Sequence, residues 1–115
     1  MHELSITQSV VDLVAERTVG RTVVAVHVRV GRLSGVVADA MLFCFEVASA
    51  GTPVDGARLE IEEVDGRIAC RDCGLESPAD DLVLLCPCGS ADVAVVAGQE
   101  LTVASVELEK EATCV

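Results

Sequence analysis

Four cysteines in two short pairs are the residues best placed to do chemistry: Cys70-Arg71-Asp72-Cys73-Gly74 and, with twelve residues intervening between Cys73 and Cys86, Cys86-Pro87-Cys88-Gly89. Zinc favours a tetrahedron of ligands, and thiolates about 2.3 Å from the metal satisfy it without redox chemistry. A Cys-x-x-Cys pair lets two sulfurs of one tight turn reach a single ion. The glycine that follows accepts the backbone angles such a knuckle needs. One knuckle supplies half a tetrahedron, so a second must come from elsewhere in the chain. The pattern predicts a structural zinc site held by Cys70, Cys73, Cys86 and Cys88. The second pair is one residue shorter than the first, which narrows its bite. The only histidines, His2 and His27, are remote in sequence. Local substitutes for a thiolate are limited to Asp72, Asp80, Asp81 or a water.

Other uses of these cysteines rank lower. Disulfides suit oxidising compartments, and Met1-His2-Glu3-Leu4 has neither the basic start nor the apolar run of a secretory signal. A thioredoxin-like redox pair needs a strand-to-helix setting that residues 66–74 do not offer. A rubredoxin-like iron site of four thiolates is the remaining alternative. Cys44 falls on the apolar side of an expected helix and reads as a small buried hydrophobe. Cys114 reads as a spare thiol. With two histidines in the chain, a nucleophile–base–acid set has little material, and an enzyme is not expected.

Composition narrows the partners. Eight Lys and Arg against nineteen Asp and Glu give a formal charge of −11. Phosphate binding needs clustered cations, so nucleic acid is not expected. An acidic surface suits basic protein partners or cations, solubility being the plainer reading. No apolar run approaches the roughly 18 residues that span a bilayer. A soluble, cytoplasmic protein without a membrane partner is expected. Hydrophobic residues make up 51% of the chain but aromatics only 2%, so the core must be aliphatic. Around the cysteines large apolar residues are few, and there the metal must supply the cohesion.

The elements that would position these cysteines follow from periodicity. Residues 5–18 read as an amphipathic helix with Ile6, Val10, Leu13 and Val14 on one face, a Ser5–Gln8 capping box and a stop at Gly20. Residues 22–30 form the clearest strand, with Val24, Val26, Val28 and Val30 on one face and Val23, Ala25, His27 and Arg29 on the other. His27 is expected to be a partly exposed structural residue. A second helix spans 37–50, its apolar side formed by Val37, Ala40, Met41, Cys44, Val47 and Ala48 and broadened by Phe43. Asp39 in its first turn complements the helix dipole. A strand at 57–64 and another at 100–109 flank the cysteine lobe. The expected fold is α+β: two helices on a three-stranded sheet, with an inserted zinc-ribbon-like four-cysteine lobe. The domains would be 1–65 plus 99–115, and 66–98.

The amino terminus has the donors for a second, different metal site, against the plainer reading that His2 and Glu3 are chance residues beside an initiator methionine, with Glu3 supporting the helix start. A free α-amine, a deprotonated amide and the imidazole of His2 form fused chelate rings in one plane, and Glu3 adds an amide or a carboxylate. Planar nitrogen donors suit Ni(II) and Cu(II).

Met1-His2-Glu3-Leu4, Val30-Gly31-Arg32-Leu33-Ser34-Gly35, Phe43 with Phe45-Glu46, Gly51-Thr52, the two cysteine pairs and the closing strand Glu100 to Glu109 together resemble the HypA/HybF family of hydrogenase maturation factors. The resemblance covers nearly the whole chain. It implies a nickel metallochaperone that delivers Ni(II) to the [NiFe]-hydrogenase large-subunit precursor with a GTPase nickel-insertion partner. For some members urease maturation proteins are also partners. It implies His2 as principal nickel ligand, helped by Met1 and the backbone amides, with Glu3 contributing and Asp39 an acidic position nearby. Zn2+ would be structural and Ni2+ the cargo, in a monomer or weak homodimer. Cys86-Pro87-Cys88 departs from the family's commoner Cys-Pro-x-Cys and puts that knuckle's geometry in question. A zinc-ribbon interaction module with an idle N-terminus, or a redox or iron protein, are the rival classes.

Overall fold

In the computed structural model, which describes residues 3–79 and 83–109, the first apolar-periodic stretch is helix α1 (Glu3–Arg17), with Thr7, Val10, Val11 and Val14 buried. The helix is already under way at Glu3, two residues before the predicted cap. Gln8 instead donates to Asp12 at 2.9 Å, and Ser9 donates to the Ser5 carbonyl at 3.1 Å. Polar side chains one turn apart thus satisfy each other or the backbone within the helix, and no capping box forms. The buried face is also rotated from the predicted one, since Leu13 is exposed. Gly20, at φ 78°, ends the turn after the helix, as its position in sequence implies.

The strand β1 (Val23–Gly31) buries Val26, Val28 and Val30 on one face and Val23 and Ala25 on the other. His27, at 30% side-chain exposure, lies with its Nδ1 2.7 Å from Glu60 Oε2 and its Nε2 3.8 Å from Glu107 Oε1. It is the partly exposed structural residue that the alternation predicts. Helix α2 (Ala38–Ser49) packs against α1, with a face that keeps Met41 and Ala48 of the predicted side but is rotated toward Phe45 and Ser49. Met41, Phe45, Ala48 and Ser49 are buried, whereas Phe43 and Val47 are exposed. The remaining strands are β2 (Arg58–Val64), β3 (Arg67–Cys70), β4 (Glu76–Pro78), β5 (Val93–Ala97) and β6 (Leu101–Leu108). They form two three-stranded sheets in the orders β2-β1-β6 and β4-β3-β5.

The chain divides into two compact units. One comprises Met1–Val28, Val37–Glu60 and Val103–Val115; the other comprises Arg29–Val36 and Ile61–Thr102. Buried valines of α1 and β1 dominate the first, with Met41 and Phe45 from α2. The second has a much smaller core of Leu33, Ile68 and Ala79, edged by the half-buried Leu84, Val93 and Val95. Its sheet centres on β3, antiparallel to β4 with Ile68 opposite Ser77, and to β5 with Cys70 opposite Val93. In the same unit the Leu33 amide donates to the Gly98 carbonyl at 2.7 Å. A Cβ on Gly31 would stand 1.9 Å from that carbonyl oxygen, a separation only glycine permits. So small an apolar cluster leaves the cysteine end in need of another source of cohesion.

Candidate metal centre

The cysteine knuckles are built by local backbone bonding. Cys70 ends β3, and its amide donates to the Leu75 carbonyl at 2.9 Å while the Gly74 amide donates back to the Cys70 carbonyl at 3.0 Å. In the second knuckle the Cys86 amide donates to the Ser90 carbonyl at 2.9 Å and the Gly89 amide to the Cys86 carbonyl at 2.8 Å. Each of these bonds spans one residue fewer than its counterpart in the first knuckle. The shortened Cys86-Pro87-Cys88 pair is therefore accommodated by a turn tightened by one residue, with Gly89 at φ 95° closing it. A strand followed by a tight turn, with no helix after Cys73, is not the setting of a thioredoxin-like pair.

The two turns bring the four sulfurs together, all within 4.8 Å of one another. Cys70 Sγ lies 3.8 Å from Cys88 Sγ, and Cys73 Sγ lies 3.5 Å from Cys86 Sγ. A tetrahedron with metal–sulfur bonds of about 2.3 Å has edges of about 3.8 Å, so the cluster fits a single ion of zinc-like size. Cys70 and Cys86 are buried, while Cys73 and Cys88 are exposed. Amides point at the buried sulfurs: Cys73 N is 3.4 Å from Cys70 Sγ, and Cys88 N is 3.5 Å from Cys86 Sγ. Such donors stabilise thiolate charge.

The metal-free thiols differ in acidity. The Cys73 amide is the main cause that holds the Cys70 thiol down at about 7, with burial opposing it. The Cys88 amide acts in the same direction on Cys86, but burial and the three neighbouring thiols push that group up to about 12. The Leu75 amide and the Cys86 thiol favour the Cys73 thiolate; burial and the thiols of Cys70 and Cys88 outweigh them and raise it. A cation at the centre would reverse this crowding, because four sulfurs that cannot all ionise alone can do so around a positive charge.

Groups outside the cluster brace it. Ser90 of the second knuckle donates to Asp72 of the first, and the Asp92 amide donates to Ser90 Oγ at 3.1 Å. Arg71 reaches Asp92 Oδ1 at 2.8 Å and the Val93 carbonyl at 3.2 Å. Asp72, weighed from sequence as a substitute ligand, is thus occupied in tying the knuckles together. Sequence spacing alone gave no signal for the Asp72–Ser90 pair, since its members lie eighteen residues apart. Asp80 and Asp81 fall outside the described residues.

Of the predicted nickel ligands, Met1 and His2 lie outside the described residues, as does Cys114. Glu3 opens α1, where its carbonyl accepts from Thr7 Oγ1 at 2.6 Å. Asp39 is exposed in the first turn of α2. No hydrogen bond or ion pair links Glu3 to Asp39 among the described residues. Cys44 is half-buried and takes no part in the thiol cluster. No helix of the described residues is long and apolar enough to cross a membrane.

An α+β chain whose cysteine-bearing unit gathers four thiols around one metal-sized space is a metal-handling protein. A family model described as "Hydrogenase/urease nickel incorporation, metallochaperone, hypA" matches residues 1–108. The chain belongs to that family. It is thereby a metallochaperone and maturation factor, not an enzyme. The hydrogenase maturation factor HypA of Geobacter metallireducens is 49% identical over 110 residues, covering 95% of this chain and all of that protein. That of a Nostoc species is 41% identical over 110 residues, 96% of this chain and 97% of the relative. The solution structure of the Ni metallochaperone HypA from Helicobacter pylori matches with a TM-score of 0.65 at 24% identity, covering 96% of this chain and all of that one, and shows the same fold. A second solution structure of a HypA protein matches with a TM-score of 0.66 at 26% identity, over 96% of this chain and 98% of that one.

Proposed function

We propose that the chain is a nickel carrier that binds Ni(II) at its amino terminus and passes it to a [NiFe]-hydrogenase large-subunit precursor, with a GTPase as insertion partner. Urease maturation proteins are a second class of recipient. His2 is the principal ligand in this reading, joined by the Met1 amine, the intervening amides and Glu3, with Asp39 in support. Cys70, Cys73, Cys86 and Cys88 hold Zn2+ as a structural ion. Residues 66–98 form the zinc domain, and residues 1–65 with 99–115 the nickel domain, in the cytoplasm. The observation that carries the reading is family membership across residues 1–108, together with a four-thiol centre of the right size for one ion.

The two sites are chemically distinct. Thiolates in a closed tetrahedron retain zinc, whereas planar nitrogen donors at a chain end select Ni(II) and leave it open to ligand exchange. Elemental analysis and nickel titration of untagged protein beside its His2→Ala variant test this. One zinc per chain in both, with nickel bound only by the parent, is expected. Undiminished nickel affinity in His2→Ala would refute the N-terminal site, and a protein free of zinc would refute the structural one. Adding residues ahead of Met1 should also abolish tight nickel binding, because the α-amine becomes an amide.

A further inference from the structure

The two faces of α2 pose a problem that the metal sites do not answer. Met41, Cys44, Phe45, Ala48 and Ser49 form one seam at i, i+3, i+4, i+7 and i+8, and this is the side turned into the protein. Asp39, Leu42, Phe43, Glu46 and Val47 repeat the same spacing, and every one of them is exposed. Phe43 is 69% exposed, Val47 56% and Leu42 42%. One of the two aromatic residues in the whole chain is therefore spent on the outside of a helix. A helix that is apolar on both sides is normally covered on both sides.

We propose that this outer seam is a docking surface for an amphipathic helix of another protein, one bearing an aliphatic stripe flanked by lysine or arginine. The charges specify that occupant. The only charged residues of α2 are Asp39 and Glu46, and the helix carries no cation. Neither carboxylate has a hydrogen bond or ion pair among the described residues. They stand seven residues apart, about 10 Å along the axis, which is one heptad. A partner helix with two cations one heptad apart meets both while its aliphatic residues cover Phe43 and Val47. A second copy of this chain fits badly. Antiparallel pairing would oppose Asp39 to Glu46, and parallel pairing would oppose each carboxylate to itself, so either arrangement sets like charges together. The chain's net charge of −11 acts in the same direction and favours a basic partner at the encounter stage.

The test uses full-length protein and a defined probe, a helical peptide of about 21 residues with leucine at the a and d positions and lysine flanking it at heptad spacing. Its counterpart replaces each lysine with glutamate. The lysine peptide should shift the backbone amide resonances of Asp39, Leu42, Phe43, Glu46 and Val47, and its affinity should fall as salt rises. Phe43→Ser should weaken binding roughly tenfold or more, with circular dichroism unchanged because the ring lies outside the core. Asp39→Lys with Glu46→Lys should reverse the preference in favour of the glutamate peptide. Resonance shifts confined to other surfaces, affinity indifferent to Phe43→Ser, or no binding of either peptide would overturn the proposal. So would a concentration-dependent dimer of the parent that Phe43→Ser abolishes, which would make a second copy the occupant.

Discussion

Cys73 Sγ lies 3.5 Å from Cys86 Sγ, although the two residues belong to separate turns thirteen positions apart in the chain. The backbone bonds of each knuckle and the Ser90–Asp72 tie bring the two turns together, and an ion shared by the four thiols would hold them there. Cys73→Ser should lower zinc affinity by more than the roughly 10–100-fold that losing an outer hydrogen bond costs, because a ligand itself is removed. Ser90→Ala, which deletes the tie to Asp72 and the bond accepted from the Asp92 amide but no ligand, should fall within that smaller range. Zinc content after dialysis against a chelator, measured for both variants, checks the order. Retention equal to the parent in Cys73→Ser would sink the four-thiolate assignment.

Metal uptake should also release protons and weaken as the medium is acidified. Cys86, at about 12, and Cys73, raised above its ordinary value, hold their protons at neutral pH, while Cys70 at about 7 is part ionised. Only thiolates bind the metal, so each thiol that is protonated in the free protein must give up its proton. The sign is fixed: falling pH through 7 reprotonates Cys70 and adds to the cost of binding, and rising pH removes it. Calorimetric titration in two buffers of different ionisation enthalpy should give at least two protons released per metal at pH 7. Uptake independent of pH between about 6 and 8 would contradict this account.

How far the sequence discloses this protein differs from element to element. The clustering of the four cysteines was legible because the spacing of cysteines is itself the geometry of a knuckle. Strand β1 was legible because alternating valines leave one solution to the pleat, down to the half-exposed position of His27. The lobe between β2 and β6 hid its three short strands. β4 is only three residues long, and turn and metal chemistry dominate its neighbours. Helix α2 was found, but its packed face is rotated part-way from the predicted one. Met41 and Ala48 are buried as the pattern implies, but Val37, Phe43 and Val47 on the flank of that stripe are exposed and Phe45 is buried in their place. Hydrophobicity alone cannot choose between two apolar edges. The capping box failed for a related reason: a polar residue near a helix start can serve inside the first turn as well as before it.

The approach of Gly31 to Gly98 should be intolerant of any side chain. A Cβ at Gly31 would sit 1.9 Å from the Gly98 oxygen and 2.1 Å from its carbonyl carbon, atoms of the main chain that cannot swing aside. Gly31→Ala should therefore cost stability at or beyond the upper end of the roughly 1–3 kcal/mol typical of overpacking. Gly20→Ala is the control. It has the same chemistry and no atom within 4 Å, so only its positive φ of 78° is strained, a cost of about 1 kcal/mol. Urea midpoints for the two variants at equal zinc content measure the difference. A Gly31→Ala protein as stable as Gly20→Ala would show that the close approach is absent in solution.

The register of α2 makes the last prediction. Phe45 is 3% exposed and Phe43, two positions earlier on the same helix, is 69% exposed. Phe45→Ala removes a ring from among the buried residues of the first unit and should cost about 3–5 kcal/mol, since the cavity left behind adds to the lost transfer energy. Phe43→Ala leaves no cavity and should change stability by no more than about 0.5 kcal/mol. The sequence-based register, with Phe43 on the packed side, predicts a sizeable cost for Phe43→Ala instead. Equilibrium denaturation of the two single variants distinguishes the registers directly. The double variant adds a further check, because residues on opposite faces of a helix share no cavity and their effects should sum to within about 0.5 kcal/mol.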